Sequence, residues 1–437
     1  MKKEETDSGR HKEDVDGAGA ERVLLVGLEE DGRDFERAMD ELAELARACF
    51  MEPVGIMTQR LENPGKEFYI GRGKVQEVKE TAGILEADLV LFYNDLTPSQ
   101  LRNLQDEIGR PVMDRTALIL DIFESRARTR EARLQVEAAR LRYLLPRLVG
   151  MHKALTRQGG TSGSQSSRGA GEKKLELDRR RIEHRISELT RELEQVSRER
   201  EVQRKKRQNS RLPLVTLVGY TNAGKSTIMN GLLELFGKDA DKKVLEQDML
   251  FATLDTSVRR ICAGQNRDFL LSDTVGFIHK LPHGLIKAFR STLEEVCCAD
   301  LLLHVVDYSD PFYKEEIQTT RQTLEELEAG HIPILTVFNK TDKCEEVPEY
   351  PKAVGDKLYL SATQEDSLIL LTKAILEKVY SNYVETEFLV PYDKGAVTAW
   401  LLSHVQVLEQ EYRECGTWLR VNCSKADRDK YMQYILS

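Results

Sequence analysis

Over the first part of the chain the apolar positions switch repeatedly between two spacings. Val23, Leu24, Leu25 and Val26 form an unbroken apolar run, the signature of a short strand buried on both faces. Asp34 to Phe50 then places Phe35, Met39, Leu42, Leu45 and Ala46 at helical intervals. The same alternation predicts a strand over Val54 to Thr58, a helix over Lys74 to Leu85 and a strand over Asp88 to Tyr93. A helix over Pro98 to Ile108 follows, with Thr97 as its cap and Pro98 in the first turn, and then a short strand over Pro111 to Met113. Strands that alternate with helices specify a parallel α/β domain, here spanning residues 21–125. The preceding residues 1–20 are polar and charged with almost nothing to bury, which predicts a disordered leader. Within the domain, the glycines and lysine of Phe68 to Val78 could touch an anion, but a structural loop is the better expectation.

From Thr116 the pattern becomes helical throughout. Leu134, Ala138, Leu141, Leu145 and Leu148 step by four and three, and so do Ile182, Ile186, Leu189, Leu193 and Val196. Between the two sets, Gly159 to Gly171 is too rich in Gly and Ser to hold a regular element. The expectation is an antiparallel coiled helical hairpin over 126–210 with a flexible tip. Charge sharpens this. Arg126 to Arg211 carries 24 Lys and Arg against 11 Asp and Glu, a surplus of 13 on a chain of net charge −9, so the remainder carries about −22. A charge run on a helix is commonly only a solvated face, yet this asymmetry favours insertion among RNA phosphates.

The apolar run Leu214 to Val218 leads into Gly219, Tyr220, Thr221, Asn222, Ala223, Gly224, Lys225, Ser226 and Thr227. Two glycines five apart followed by Lys and Ser make a phosphate-binding loop: backbone N–H groups turn inward, Lys225 reaches the β/γ-oxygens, and the Ser226 hydroxyl ligates Mg²⁺. A helix over Ser226 to Phe236 supplies the required context. Downstream, Asp273, Thr274, Val275 and Gly276 follow the strand-like Phe269 to Ser272; there the Asp holds Mg²⁺ and the Gly N–H senses the γ-phosphate. Asn339, Lys340, Thr341 and Asp342 end the apolar stretch Ile332 to Phe338. A carboxylate at Asp342 accepts guanine N1–H and N2–H₂, a donor pair that adenine lacks. Ser361, Ala362 and Thr363 offer backbone amides to guanine O6. Between the first two motifs, Phe251, Ala252, Thr253, Leu254 and Asp255 supply Thr253 as the switch threonine that closes on Mg²⁺ with the γ-phosphate. Lys225, Thr253 and Gly276 are thus the catalytic candidates, and Ser226, Thr253 and Asp273 the metal ligands. The joint order predicts a GTPase domain over 211–385, a parallel sheet with helices on both faces, that binds GTP/GDP and Mg²⁺. The tail, 386–437, predicts a small α/β unit: strand Phe388 to Val390, helix Ala396 to Glu409, strand Thr417 to Val421, helix Lys425 to Ile435.

Two positions bear on turnover. Phe277 stands where Ras-type switches carry a water-orienting Gln, so intrinsic hydrolysis is expected to be slow. Asn222 matches the asparagine that potassium-activated GTPases use as a K⁺ ligand; that it only shapes the loop is at least as good an account. Elsewhere, seven cysteines form no C-x-x-C pair or Cys/His cluster, which suggests free thiols in a reducing compartment. No apolar stretch approaches a membrane span and the charged start lacks a signal core, so a cytoplasmic protein is expected.

Several long strings together resemble the HflX family, the ribosome-associated GTPases of the Obg/HflX class. They are Asp273 to Val296, Ala299 to Pro311, Leu134 to Leu148, Arg168 to Ile182 and Asp114 to Phe123, and the likeness runs from about Val23 into the tail. The resemblance implies a protein that binds the large ribosomal subunit and its rRNA, places its hairpin near the peptidyl-transferase region, and splits stalled or resting ribosomes; a monomer is expected. It also implies ATP hydrolysis and an RNA-remodelling activity of the N-terminal region, but no P-loop stands there, so no residues of this chain support a second ATPase site. The tip departs from the family: Ala170 replaces a proline, and Thr161 to Ser167 is longer and Ser-rich.

Overall fold

The computed structural model describes residues 20–29, 35–157, 165–209, 212–237, 257–264, 266–274, 276–278, 295–344 and 350–436. The expected leader, the Thr253 segment Phe251 to Asp255, Val275 and the start of the hairpin tip lie outside them. Contacts divide the chain into two compact units, residues 1–119 with 153–158, and the remainder.

The first unit is the expected parallel α/β layer. Its sheet has the order β2-β1-β3-β4, from β1 (Glu21–Glu29), β2 (Met51–Arg60), β3 (Leu89–Phe92) and β4 (Val112–Asp114), all pairs parallel. Helices α1 (Phe35–Ala48), α2 (Arg72–Ile84) and α3 (Pro98–Ile108) connect the strands. The predicted cap is in place: the Thr97 hydroxyl accepts from Gln100 N at 3.3 Å, Gln100 Oε1 accepts from Thr97 N at 3.0 Å, and Gly109 ends the helix in the left-handed region. Gly71 is the N-cap of α2, Arg72 pairs with Glu67 and Lys74 with Glu77, so this loop's described cations are neutralised within the domain. That fits the structural account of Phe68 to Val78. Helix α4 (Arg115–Arg126) leaves the sheet.

Helix α5 (Arg130–Arg157), which lies in the second unit up to His152, and α6 (Gln165–Asn209) run antiparallel, as the pairs Arg130–Glu192, Arg185–Glu137 and Arg200–Glu131 require. Leu134, Ala138 and Leu189 are buried in the seam, with Leu141, Leu193 and Val196 packed against them. The expectation that Gly159 to Gly171 holds no regular element is corrected: α6 begins at Gln165 and runs through Arg168 to Gly171. Each Gly costs about 1 kcal/mol in a helix, but extending an existing long helix avoids the cost of a new nucleus.

The central sheet has seven strands in the order β10-β11-β9-β8-β5-β7-β6. They are β5 (Leu214–Gly219), β6 (Ser257–Cys262), β7 (Asp268–Asp273), β8 (Leu301–Asp307), β9 (Ile334–Asn339), β10 (Lys352–Val354) and β11 (Lys357–Tyr359). The inner five are parallel, whereas β6 and β10 join antiparallel at the edges. The sheet is therefore mixed where a parallel one was expected. Helices α7 (Lys225–Phe236), α8 (Tyr313–Glu326) and α9 (Glu365–Val379) flank it, and Val215, Leu217, Ile228, Leu232, Leu303 and Leu371 form its main core.

The tail is a three-stranded antiparallel sheet, β12 (Val384–Val390), β14 (Gly416–Cys423) and β13 (Gln406–Arg413), with α10 (Gly395–His404) and α11 (Lys425–Lys430). Two tail expectations need correcting. The helix over Ala396 to Glu409 stops at His404, and the residues from Gln406 become β13 because β14 pairs with them across a tight turn. The last helix ends at Lys430, followed by a 3-10 turn over Met432–Tyr434.

Candidate functional site

The phosphate loop closes the C-terminal end of β5. Gly224 sits at φ +96° as the N-cap of α7, and a Cβ there would lie 2.2 Å from Asn339 Nδ2. Only glycine satisfies both demands at this position. Tyr220 pairs with Phe277 in a parallel bridge: Thr221 N donates to Phe277 O at 2.8 Å, and Phe277 N donates to Gly219 O at 3.1 Å. This bridge draws Asp273, Thr274 and Gly276 against the loop. A Cβ on Gly276 would come within 2.7 Å of Thr221 Cγ2 and 2.9 Å of Lys225 Nζ, which places the glycine over the lysine.

Lys225 is buried, and its Nζ donates to the carbonyls of Tyr220 at 2.6 Å and Gly219 at 3.1 Å. Burial lowers its pKa to about 8, against the opposing pull of the Asp273 and Glu316 carboxylates. The Ser226 hydroxyl donates to Asp273 Oδ2 at 3.1 Å. Asp273 Oδ1 accepts from Thr274 N at 3.0 Å, and the Thr274 hydroxyl is anchored to Leu217 O at 2.6 Å. A hydroxyl and a carboxylate oxygen converging on one spot are a hard-oxygen donor set that fits Mg²⁺, which keeps its remaining positions for phosphate and water.

The base side is organised by Asn339, which is only 2% exposed. Its Nδ2 donates to Ala223 O at 2.9 Å, and its Oδ1 accepts from Ala362 N at 2.9 Å. One side chain thus ties the phosphate loop, the end of β9 and the Ser361 to Thr363 turn together. Ala362 N–H serves Asn339, whereas Thr363 is exposed and its N–H has no acceptor among the described residues. Lys340 adopts φ +60° and pairs with Asp307 at 2.7 Å, which turns the exposed Asp342 outward on the Thr341–Lys343 turn. Replacing Asn339 with Ala orphans two buried backbone groups at about 1–3 kcal/mol each. We expect Asn339→Ala to unfold several degrees lower by thermal denaturation and to weaken GTP binding; an unchanged unfolding temperature would remove this cross-link from the account.

Phe277 is 3% exposed and packs with Val218, Leu302 and Leu324 in a core behind the sheet. Asn222 is exposed at φ +60°, a conformation Asn tolerates, so loop shaping accounts for its type. Reading the sequence missed three contributors. Asp307 holds Lys340; its signal was a carboxylate in register with Asn339 on the neighbouring strand. Tyr308 joins an aromatic cluster with Tyr313, Phe338 and Tyr359. His304, 1% exposed on β8, has no hydrogen-bond partner for Nδ1 among the described residues. Burial, followed by the charges of Arg321 and Lys225, lowers its pKa to about 4, so it is a neutral imidazole in the same layer.

Known proteins resemble the chain along most of its length. The chain matches the family models described as GTP-binding GTPase N-terminal over residues 36–124, GTP-binding GTPase Middle Region over 126–207 and 50S ribosome-binding GTPase over 214–340. It is 41% identical over 417 residues to GTPase HflX of Caldanaerobacter subterraneus subsp. tengcongensis, covering 95% of this chain and 94% of that one. It is 38% identical over 401 residues to GTPase HflX of Escherichia coli, covering 91% of each. Among solved structures, the GTP-binding protein from Sulfolobus solfataricus in complex with GDP aligns at TM-score 0.45 and 24% identity, over 82% of this chain and 99% of that one.

Proposed function

The chain belongs to the HflX family of GTPases and hydrolyses GTP, and from that premise we propose that it is a GTP-switched factor of the large ribosomal subunit that splits stalled or resting ribosomes in the cytoplasm. The observation that supports this most is the hairpin. Its surplus of 13 positive charges stands on an otherwise acidic chain, and the segment that follows it matches a model described as a 50S ribosome-binding GTPase. Each phosphate neutralised by Lys or Arg releases counterions, so such a hairpin gains affinity for folded RNA of any sequence. In the proposed cycle Lys225 holds the β/γ-oxygens, Ser226 and Asp273 hold Mg²⁺ with Thr253, and Gly276 N–H reads the γ-phosphate. Asp342 and the Thr363 amide read guanine. Phe277, turned into the core, cannot orient the attacking water, so turnover is slow until the ribosome completes the site.

The alternative is a GTP-controlled RNA- or protein-binding module without splitting activity. Sedimentation of intact ribosomes with the protein and a non-hydrolysable GTP analogue separates the two: subunits appear under the first reading, bound intact ribosomes under the second. Replacing residues 159–171 with a short neutral turn spares nucleotide binding and removes both ribosome-stimulated hydrolysis and splitting. Across a salt series the wild type loses affinity with a log–log slope of roughly −0.7 to −0.9 per phosphate contact, and the tip variant with a shallower one. Arg179 and Arg180 already pair with Glu183 and Glu176 on the same helix, so reversing their charge changes the slope less than removing the tip. Equal affinity and slope for all of these proteins would make the hairpin a scaffold.

A further inference from the structure

Strands β6 and β7 form an antiparallel hairpin whose two ends lie in different places. At one end Ser257 pairs with Asp273, and the chain runs on there into Thr274 and Gly276. At the other end Cys262 pairs with Asp268, five residue steps away, or roughly 17 Å at the rise of a strand. That far tip is fastened to the C-terminal part of the chain. Asn266, at φ +56° in the turn, donates from Nδ2 to Leu402 O at 2.9 Å and to Val405 O at 3.0 Å. Leu402 O is one of the last carbonyls of α10, which no N–H further along the helix can satisfy. The asparagine therefore serves as a C-terminal cap supplied by another domain. A second tie lies beside it: the Tyr380 hydroxyl donates to Asp268 O at 2.7 Å, and the Arg267 guanidinium lies 5.8 Å over the Tyr380 ring. Tyr380 closes α9 just before the link into β12.

A two-stranded ribbon with its full ladder of hydrogen bonds transmits displacement along its length better than a loop does. We propose that Asn266 is a positioning residue of this GTPase: it fastens the tip of the β6–β7 hairpin to the end of α10, so that the ribbon couples the nucleotide state at Asp273 to the C-terminal domain. By reciprocity, whatever partner surface contacts the C-terminal domain then biases the nucleotide site at Asp273. The inference rests on the assignment of the phosphate loop and Asp273 to the nucleotide.

The test uses the full-length protein and hydrogen exchange of the amides from Leu401 to Val405, with GDP or with a non-hydrolysable GTP analogue. In the wild type these amides differ in protection between the two nucleotides by about fivefold or more, the lower end of ordinary allosteric coupling. Asn266→Gly keeps the left-handed turn and removes only the two donated bonds; it shrinks the difference below twofold, leaves GDP affinity unchanged, and alters kcat with KM constant. Tyr380→Phe, which removes the other tie, reduces the difference in part. Nucleotide binding with no protection difference in the wild type, or a difference that survives in Asn266→Gly, overturns the lever alone. Failure of the wild type to bind either nucleotide overturns the nucleotide assignment and the lever with it.

Discussion

Lys225→Met weakens GTP binding by about three orders of magnitude at neutral pH. The ammonium is expected to meet two phosphate oxygens, and a charge-assisted hydrogen bond contributes about 1.5–3 kcal/mol, so losing two costs about 4 kcal/mol. The wild type adds a second signature. Burial holds Lys225 at about 8, well below an ordinary lysine, because desolvation penalises the charged form more than Asp273 and Glu316 favour it. Bound phosphates favour the ammonium and raise its pKa. Above about pH 8 the free protein carries a neutral amine and must take up a proton to bind, so affinity falls by up to about tenfold per pH unit; below pH 8 it is flat. Equilibrium titration with a fluorescent GTP analogue at pH 7, 8 and 9 measures this. The methionine variant is the reference, since titration of the nucleotide itself affects both proteins alike. Equal affinities with equal pH slopes would take Lys225 out of the phosphate site.

Asp342→Asn is expected to reverse base preference. The carboxylate accepts from guanine N1–H and N2–H₂; an amide can accept only one of these and sets its own N–H against the other. The loss is about 3 kcal/mol, or roughly a hundredfold in GTP affinity. Xanthine carries an oxygen in place of the exocyclic amine, so the new amide donates to it and xanthosine triphosphate gains where GTP loses. Because Asp342 is exposed and Asn339 carries the structural bonds, the substitution should leave unfolding unchanged. Competition between the two nucleotides for wild type and variant decides the matter, and undiminished GTP binding by the variant would sink the assignment.

Features whose physics is local are legible in the order of residues alone. The phosphate loop is legible as a string because its work is done by contiguous backbone N–H groups and one adjacent lysine. The N-terminal strands and helices are legible because their apolar periods differ, and the cap at Thr97 because its partner Gln100 is three residues away. The hairpin follows from two heptad patterns on either side of a Gly-rich stretch. Features that depend on distant partners were decided only by the tertiary structure. Asn339 was readable as a guanine-site residue, but not as the tie between Ala223 and Ala362, 116 and 23 residues away. Phe277 faces the core because its backbone pairs with Tyr220, more than fifty residues earlier. The segment from Gln406 continues a helical pattern, yet becomes a strand because β14 offers its hydrogen-bonding edge. Asn266 is one more polar turn residue until α10, some 136 residues on, presents it with an unsatisfied carbonyl. In each of these cases the deciding energy is a buried hydrogen bond or an apolar contact between residues far apart in the chain. No window of local sequence contains both partners, so periodicity and propensity cannot register it.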